Sequence, residues 1–381
     1  MKSFSLTGFR TVTLLVAWAI AAPAQTFTTL HSFGGIGDGA APYTGLVGDH
    51  AGNVYGTTLG GGPDSAGAVF KITNATTGNS ETVLHFFTFA DGGDPQSTLI
   101  RDKEGNLYGT ALLGGAYSYG SVFKLDTAGK ITVLYSFTGG ADGWGPIARL
   151  LRDPEGTLYG TTLQGGTFNA GVVFKLDVTG KETVLYNFAG GADGRWPAGG
   201  LIRDEENNFY GVTEYGGTFD FGIVFKLDTA GNETVLHTFA GGEDGGYPNG
   251  PLVRDAAGNL YGTTHEEGTF RAGVIFKIDP SGQETILHTF DRSDGLAGSG
   301  NLIADEEGNL YGVTNGGGSY GYGVAFRLDP SGNLSLLHSF NGGTDGSFPW
   351  GGLIRDNAGN LYGTTSSGGA FDLGTAFKLT P

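Results

Sequence analysis

A Tyr-Gly dipeptide recurs seven times along the chain, at Tyr55, Tyr108, Tyr159, Tyr210, Tyr261, Tyr311 and Tyr362, with spacings of 53, 51, 51, 51, 50 and 51 residues. A fixed period of this length means a repeat architecture, in which each copy is one supersecondary unit that buries its apolar face only against its neighbours. The fourth copy shows the unit: Leu201-Ile-Arg-Asp204, Asn208-Phe-Tyr-Gly-Val-Thr213, Gly222-Ile-Val-Phe-Lys-Leu-Asp228 and Glu233-Thr-Val-Leu-His-Thr-Phe239. These are short runs rich in β-branched and aromatic residues, bounded by Gly and Asp, and they read as four strands joined by turns. Four strands in one such period is the content of a β-propeller blade. The strands are called A to D, from the innermost outwards.

The two ends of the sequence predict closure. The chain finishes on Phe377-Lys-Leu-Thr-Pro381, one strand short of a unit, and Phe27-Thr-Thr-Leu-His-Ser-Phe33 supplies that strand near the start. The 19 residues after Tyr362 and the 31 from Gln25 to Tyr55 join to give one more spacing of 50. The expected fold is all-β: a single seven-bladed β-propeller over residues 25–381, with four antiparallel strands per blade. The N-terminal strand completes the last blade, so the ring has no long free edge. The expected assembly is a monomer.

Residues 1–24 read as a secretory signal peptide, with Lys2 and Arg10 ahead of an apolar Thr11 to Ala21 and a small-residue cleavage site at Ala22-Pro23-Ala24. That stretch is too short to span a bilayer, and nothing later is long and apolar enough, so the mature chain is expected to carry no membrane span. The 73 glycines have no Gly-X-Y period, which fits many tight turns. There is no cysteine, so an exported chain would hold without disulfides. Removing the leader takes two cations and no acid, moving the formal charge from −17 to −19. Such a surface repels phosphates, which excludes nucleic acid as a partner class. The expected location is outside the cytoplasm: periplasm, cell surface or extracellular medium.

In an up-and-down blade the short A–B and C–D hairpins share one face, and the longer B–C and D–A connections share the other. Each D–A loop carries Asp-Gly, at Asp38, Asp91, Asp142, Asp193, Asp244, Asp294 and Asp345. A carboxylate ring in an acidic exported protein invites calcium; the plainer reading is an Asp that accepts backbone N–H groups in a turn. The same loops hold Tyr43, Trp144, Trp196, Tyr247, Phe348 and Trp350, and the B–C loops add Tyr117, Phe168, Tyr215, Phe219, Phe270, Tyr320 and Phe371. Aromatic faces with polar tips suit a half-wet interface and stack on sugars or anchor a protein partner; alternatively they roof the blades. Four residues after each marker tyrosine stand Leu59, Leu112, Leu163, Glu214, His265, Asn315 and Ser366. Glu214 and His265, on neighbouring blades, are read as facing one off-centre pocket, where His with a carboxylate can do acid–base work. A chance surface cluster is the simpler alternative. The D-strand position holding His31, His85, Tyr135, Tyr186, His237, His288 and His338 reads as a structural slot. Arg101, Arg152, Arg203, Arg254 and Arg355 on strand A read as partners for strand-end aspartates.

The unit Asp-x-x-Gly-Asn-Leu-Tyr-Gly-Thr-Thr, Gly-Val-Val-Phe-Lys-Leu-Asp and Thr-Val-Leu-His-Ser-Phe resembles the GloVer tandem repeat of choice-of-anchor exported bacterial proteins, over residues 27 to 381. A weaker similarity runs to the propeller repeat of two-component sensor ectodomains. The resemblance implies export and tandem repeats and brings no catalytic residues. Members often carry a C-terminal surface anchor, a pattern from which this sequence departs at Pro381. The functional expectation is a non-enzymatic binding module whose extracellular glycan or protein ligand meets the long-loop face. The candidate residues are Trp144, Trp196, Tyr247, Trp350, Glu214 and His265, with no cofactor beyond the calcium reading. The alternatives are an enzyme acting on polysaccharide or a small molecule near Glu214 and His265, and a structural envelope protein.

Overall fold

The computed structural model describes residues 25–73 and 80–380, so the expected leader lies outside it. It contains seven antiparallel sheets arranged as a seven-bladed propeller, numbered here by their marker tyrosines. In blade four the strands are Ile202–Arg203, Phe209–Thr213, Ile223–Leu227 and Glu233–Thr238, paired in chain order. Blade seven takes Ile354–Arg355, Leu361–Thr365 and Thr375–Thr380 from one end of the chain and Thr26–Ser32 from the other. Thr26 pairs with Thr380 and Ser32 with Thr375, which closes the ring as the sequence predicts. The D–A connections are less free than their length suggests. Blade five gains a short strand, Gly246–Pro248, laid on Leu260–Glu266, and in blade six strand A lengthens to Leu296–Ala304.

Each residue of the marker motif has a physical task. Gly211 sits opposite Phe225 across strands B and C, and a Cβ there would lie 2.7 Å from the Phe225 ring. The glycine is therefore the space into which the strand C phenylalanine packs. Tyr210 donates its hydroxyl to Asp204 at 2.9 Å, and the same carboxylate accepts the backbone and side-chain amides of Asn208. Burial pushes the Asp204 carboxyl up, but these donors outweigh it and hold the group below the ordinary range. Tyr210, pushed up to about 12 by burial and then by that hydrogen bond, keeps its proton. Asp-x-x-x-Asn-x-Tyr is thus one hydrogen-bonded turn, repeated with small changes in the other copies.

The blades are joined by paired phenylalanines. Phe239, at the end of strand D in blade four, meets Phe276 of strand C in blade five edge-on at 5.2 Å. The same contact recurs at every boundary, including Phe340 against Phe377 and Phe33 against Phe70 around the closure. Both members of each pair are buried. The strand A arginines differ from their expected role: Arg152, Arg203, Arg254 and Arg355 lie over the marker tyrosine of the preceding blade, at 5.5 to 6.0 Å. Their charge still reaches an aspartate in places, as for Arg152 near Asp102. They are cation–π braces between blades first.

A polar station also lies at each boundary. The slot residue on strand D binds the Asp of the following Asp-Gly: His31 with Asp38 at 2.9 Å, Tyr135 with Asp142 at 2.9 Å, His338 with Asp345 at 2.9 Å. At four boundaries the next blade adds a half-buried glutamate: Glu81, Glu182, Glu233 and Glu284. Burial, then the neighbouring Asp, pushes Glu81, Glu182 and Glu233 up to about 7.

Two outcomes follow from this packing. Phe377→Ala should cost about 3–5 kcal/mol of stability, read by urea unfolding, because it empties a buried ring site at the closure. The boundary glutamates keep in the folded state a proton that the unfolded chain releases near 4.5. Their contribution is complete below that pH and is lost as pH rises to about 7. The triple variant Glu81→Gln, Glu182→Gln, Glu233→Gln should therefore show a flatter stability profile than wild type across that window; identical slopes would refute the assignment.

Candidate functional site

The hole along the propeller axis divides into two cavities. One, of about 1040 Å³, is lined by the A strands and A–B hairpins, including Arg101, Asp102, Arg152 and Asp153. The other, of about 390 Å³, opens among the long connections and takes residues from all seven blades. Gly45, Thr98, Arg149, Gly200, Pro251, Asn301 and Gly351 line both, and form the neck between them. Close backbone approach keeps this neck narrow: a Cβ on Gly45 would lie 2.3 Å from the Gly351 carbonyl oxygen.

The smaller cavity is built by a simple register. After the Asp-Gly, each D–A connection except that of blade six reaches a proline, and the residue after it faces the axis: Tyr43, Gln96, Ile147, Ala198, Asn249 and Trp350. Two residues further on comes the neck position, except in blade seven, where Gly351 follows Trp350 directly. The residue before the proline fixes this course. Ala41, Asp94, Trp196, Tyr247 and Phe348 all stand at φ between 53° and 59°, a left-handed backbone uncommon outside glycine. Its N–H crosses to the preceding blade, as in Trp196 to the Ala170 carbonyl at 2.9 Å and Tyr247 to the Phe221 carbonyl at 2.8 Å. Its carbonyl accepts from its own blade, as Trp196 does from the Glu214 N–H at 3.0 Å. The long connections are pinned on both sides.

Glu214 and His265 line this cavity together with Trp350. The cavity lies on the axis rather than off-centre, since every blade contributes to it. Trp350 stacks on Tyr43 with ring centres 4.9 Å apart and lies parallel to His265 at 5.9 Å. Burial lowers the His265 pKa, against the pull of Glu266, while burial raises that of Glu214. Burial, then Glu214 and Asp94, pushes Tyr43 up to about 12. The buried Asn249 Oδ1 finds no hydrogen-bond partner within the protein.

The other candidates stand elsewhere. Trp144 packs against Tyr119, Trp196 against Tyr215, and Tyr247 against Tyr215 and Phe221. The three tryptophans occupy three different registers of their loops: two before the proline, one before it and one after it. Only Trp350 reaches the axial cavity. Tyr43, Gln96, Asn249 and Arg149 were missed as cavity residues, and the signal that finds them is their place after the proline. The B–C loop tips carry a separate set, with Tyr117, Phe168, Phe219, Phe270, Tyr320 and Phe371 each more than half exposed.

The seven Asp-Gly aspartates are engaged within their loops, each by a D-strand His or Tyr and most by backbone N–H groups as well. Among the described residues, one group brings three ligating side chains within 4.8 Å: His237, Asp244 and Glu284. Burial, then Asp244, pushes the Glu284 carboxyl up to about 9, while at Asp244 the neighbouring donors outweigh burial and hold its carboxyl down.

A sequence model of the Gloeobacter/Verrucomicrobia repeat matches residues 16–139, 75–255 and 248–381. No curated protein matches the chain. Among solved structures, the extracellular domain of a one-component system from B. thetaiotaomicron superposes with a TM-score of 0.60 at 16% identity, over 93% of this chain and 41% of that one. The chain thus spans about two fifths of that domain. A protein from Bacteroides uniformis described as a 6-phosphogluconolactonase gives 0.52 at 14% identity, over 79% and 85% of the two chains. Both are likenesses of fold.

Glu214→Gln should lower the Tyr43 midpoint yet leave it above the ordinary 10.0, because burial is the larger cause. A phenolate absorbance titration, differenced against Tyr43→Phe, reads this; an unmoved midpoint would mean that Glu214 does not face the ring.

Proposed function

The chain belongs to the Gloeobacter/Verrucomicrobia repeat family, and on that premise we propose that it is an exported, non-enzymatic binding module whose axial cavity takes one end of a glycan. The observation that carries this is the pairing of the Tyr43–Trp350 aromatic stack with an unpartnered amide acceptor, Asn249, on the walls of one pinned cavity. A sugar presents an apolar face to an aromatic ring and hydroxyl donors to an amide oxygen, and a preformed cavity binds it at little ordering cost. Expressed from residue 25, the protein should bind members of a glycan array, with affinity falling at least about tenfold in Trp350→Ala or Tyr43→Ala. Unchanged binding in both variants would remove the proposal. Trp144→Ala and Trp196→Ala, whose rings pack elsewhere, should bind as wild type.

The enzymatic reading is favoured by one observation: on the same cavity, burial raises the Glu214 pKa and lowers that of His265, drawing a carboxyl and an imidazole toward each other's range as acid–base work requires. Turnover lost in both Glu214→Gln and His265→Ala would support it. Calcium dependence is tested by running the binding screen with and without chelator.

A further inference from the structure

We infer that the axial cavity selects a ligand bearing a carboxylate, which Arg149 holds at the neck; the inference rests on the axial-binding reading above. Comparison of copies isolates the residue. The neck holds Gly45, Thr98, Arg149, Gly200, Pro251, Asn301 and Gly351. Six are small or neutral, and one is a cation. Structural need does not explain it, since the fold accepts glycine there three times. Room for the longer arm comes from the neighbouring copy, where Gly200 has no side chain and its Cβ site lies 3.3 Å from the Arg149 Cβ.

Of the strand A arginines, four lie over tyrosines, and Arg101, whose buried Nε finds no hydrogen-bond partner, lines the larger cavity and not the smaller one, whose lining holds Arg149. Arg149 has no ion pair, hydrogen bond or ring contact among the described residues, although acids outnumber lysines and arginines by 38 to 21. Arg149 is exposed to the axial channel, and the surrounding protein still desolvates its guanidinium enough to lower the pKa, with no carboxylate opposing that shift. A guanidinium in such a place gains most from a planar oxyanion that accepts two parallel N–H bonds. The single positive charge matches a monoanion; a phosphate dianion would face Glu214 without a second cation. With the aromatic stack and the Asn249 oxygen on the same cavity, the ligand class is the acidic sugar, with carboxylate to Arg149, ring to Trp350 and hydroxyl to Asn249.

The test compares uronate oligosaccharides with their neutral counterparts on wild type, Arg149→Lys and Arg149→Asn, the last being the residue that copy six carries there as Asn301. Wild type should prefer the acid at least about tenfold, Arg149→Asn should lose that preference, and neutral-sugar binding should survive. Phenylglyoxal modification of Arg149, read by peptide mass spectrometry, reports occupancy directly, and uronate but not neutral sugar should protect it. Equal affinity for acid and neutral sugars, or an acid preference that persists in Arg149→Asn, would overturn the inference while leaving axial glycan binding intact. Protection by simple carboxylates with no sugar bound would keep the anion site and sink the glycan reading. No protection by any carboxylate would overturn the inference outright.

Discussion

The ring is held by one contact used seven times: a strand D phenylalanine set edge-on against the strand C phenylalanine of the next blade. A four-stranded sheet of this size cannot bury both its faces alone, and each blade's core is completed only by its neighbour. The two aromatic positions therefore fix both the distance and the rotation between blades. Much else in the repeat serves that pair. The glycine after the marker tyrosine is the hollow that lets the strand C ring lie flat across strand B. The strand D histidine two residues before its phenylalanine meets that ring edge-on, as His237 does Phe239 at 4.8 Å, while its far nitrogen faces the Asp of Asp-Gly.

This division of labour explains what was legible in the sequence. Blade number, strand order and closure could be read because phenylalanine, glycine and Asp-turn positions tolerate little variation and so keep one period. The His or Tyr slot was visible too, but its partner was not. His31 and Asp38 are seven residues apart across a turn, and nothing in their spacing says that the loop folds back on the strand. The polar stations thus looked like two unrelated patterns until the geometry joined them.

The cavity was harder for a related reason. Sorting aromatics by loop grouped Trp144, Trp196 and Trp350, although a single residue's shift in an extended segment sends a side chain to another side. Counting from the proline separates them and collects Tyr43, Gln96, Asn249 and Trp350 instead. Arg149 was hidden by the neighbouring regularity, because the recurrent arginine three residues later drew the eye to a structural brace. Glu214 and His265 stood out because they break a run of leucines, a difference between copies rather than a motif.

The composite blade has a bearing on the order in which the molecule can be made. Its outer strand, Thr26–Ser32, waits for Thr375–Thr380, so the ring's first strand in chain order is the last to find a partner. Blades one to six can stack one upon another as they emerge, but the circle stays an open arc until the whole chain has arrived, and closing so long a loop costs on the order of 5 kcal/mol in chain entropy. A protein built in this way remains threadable through most of its synthesis. It becomes a locked ring in a single late step.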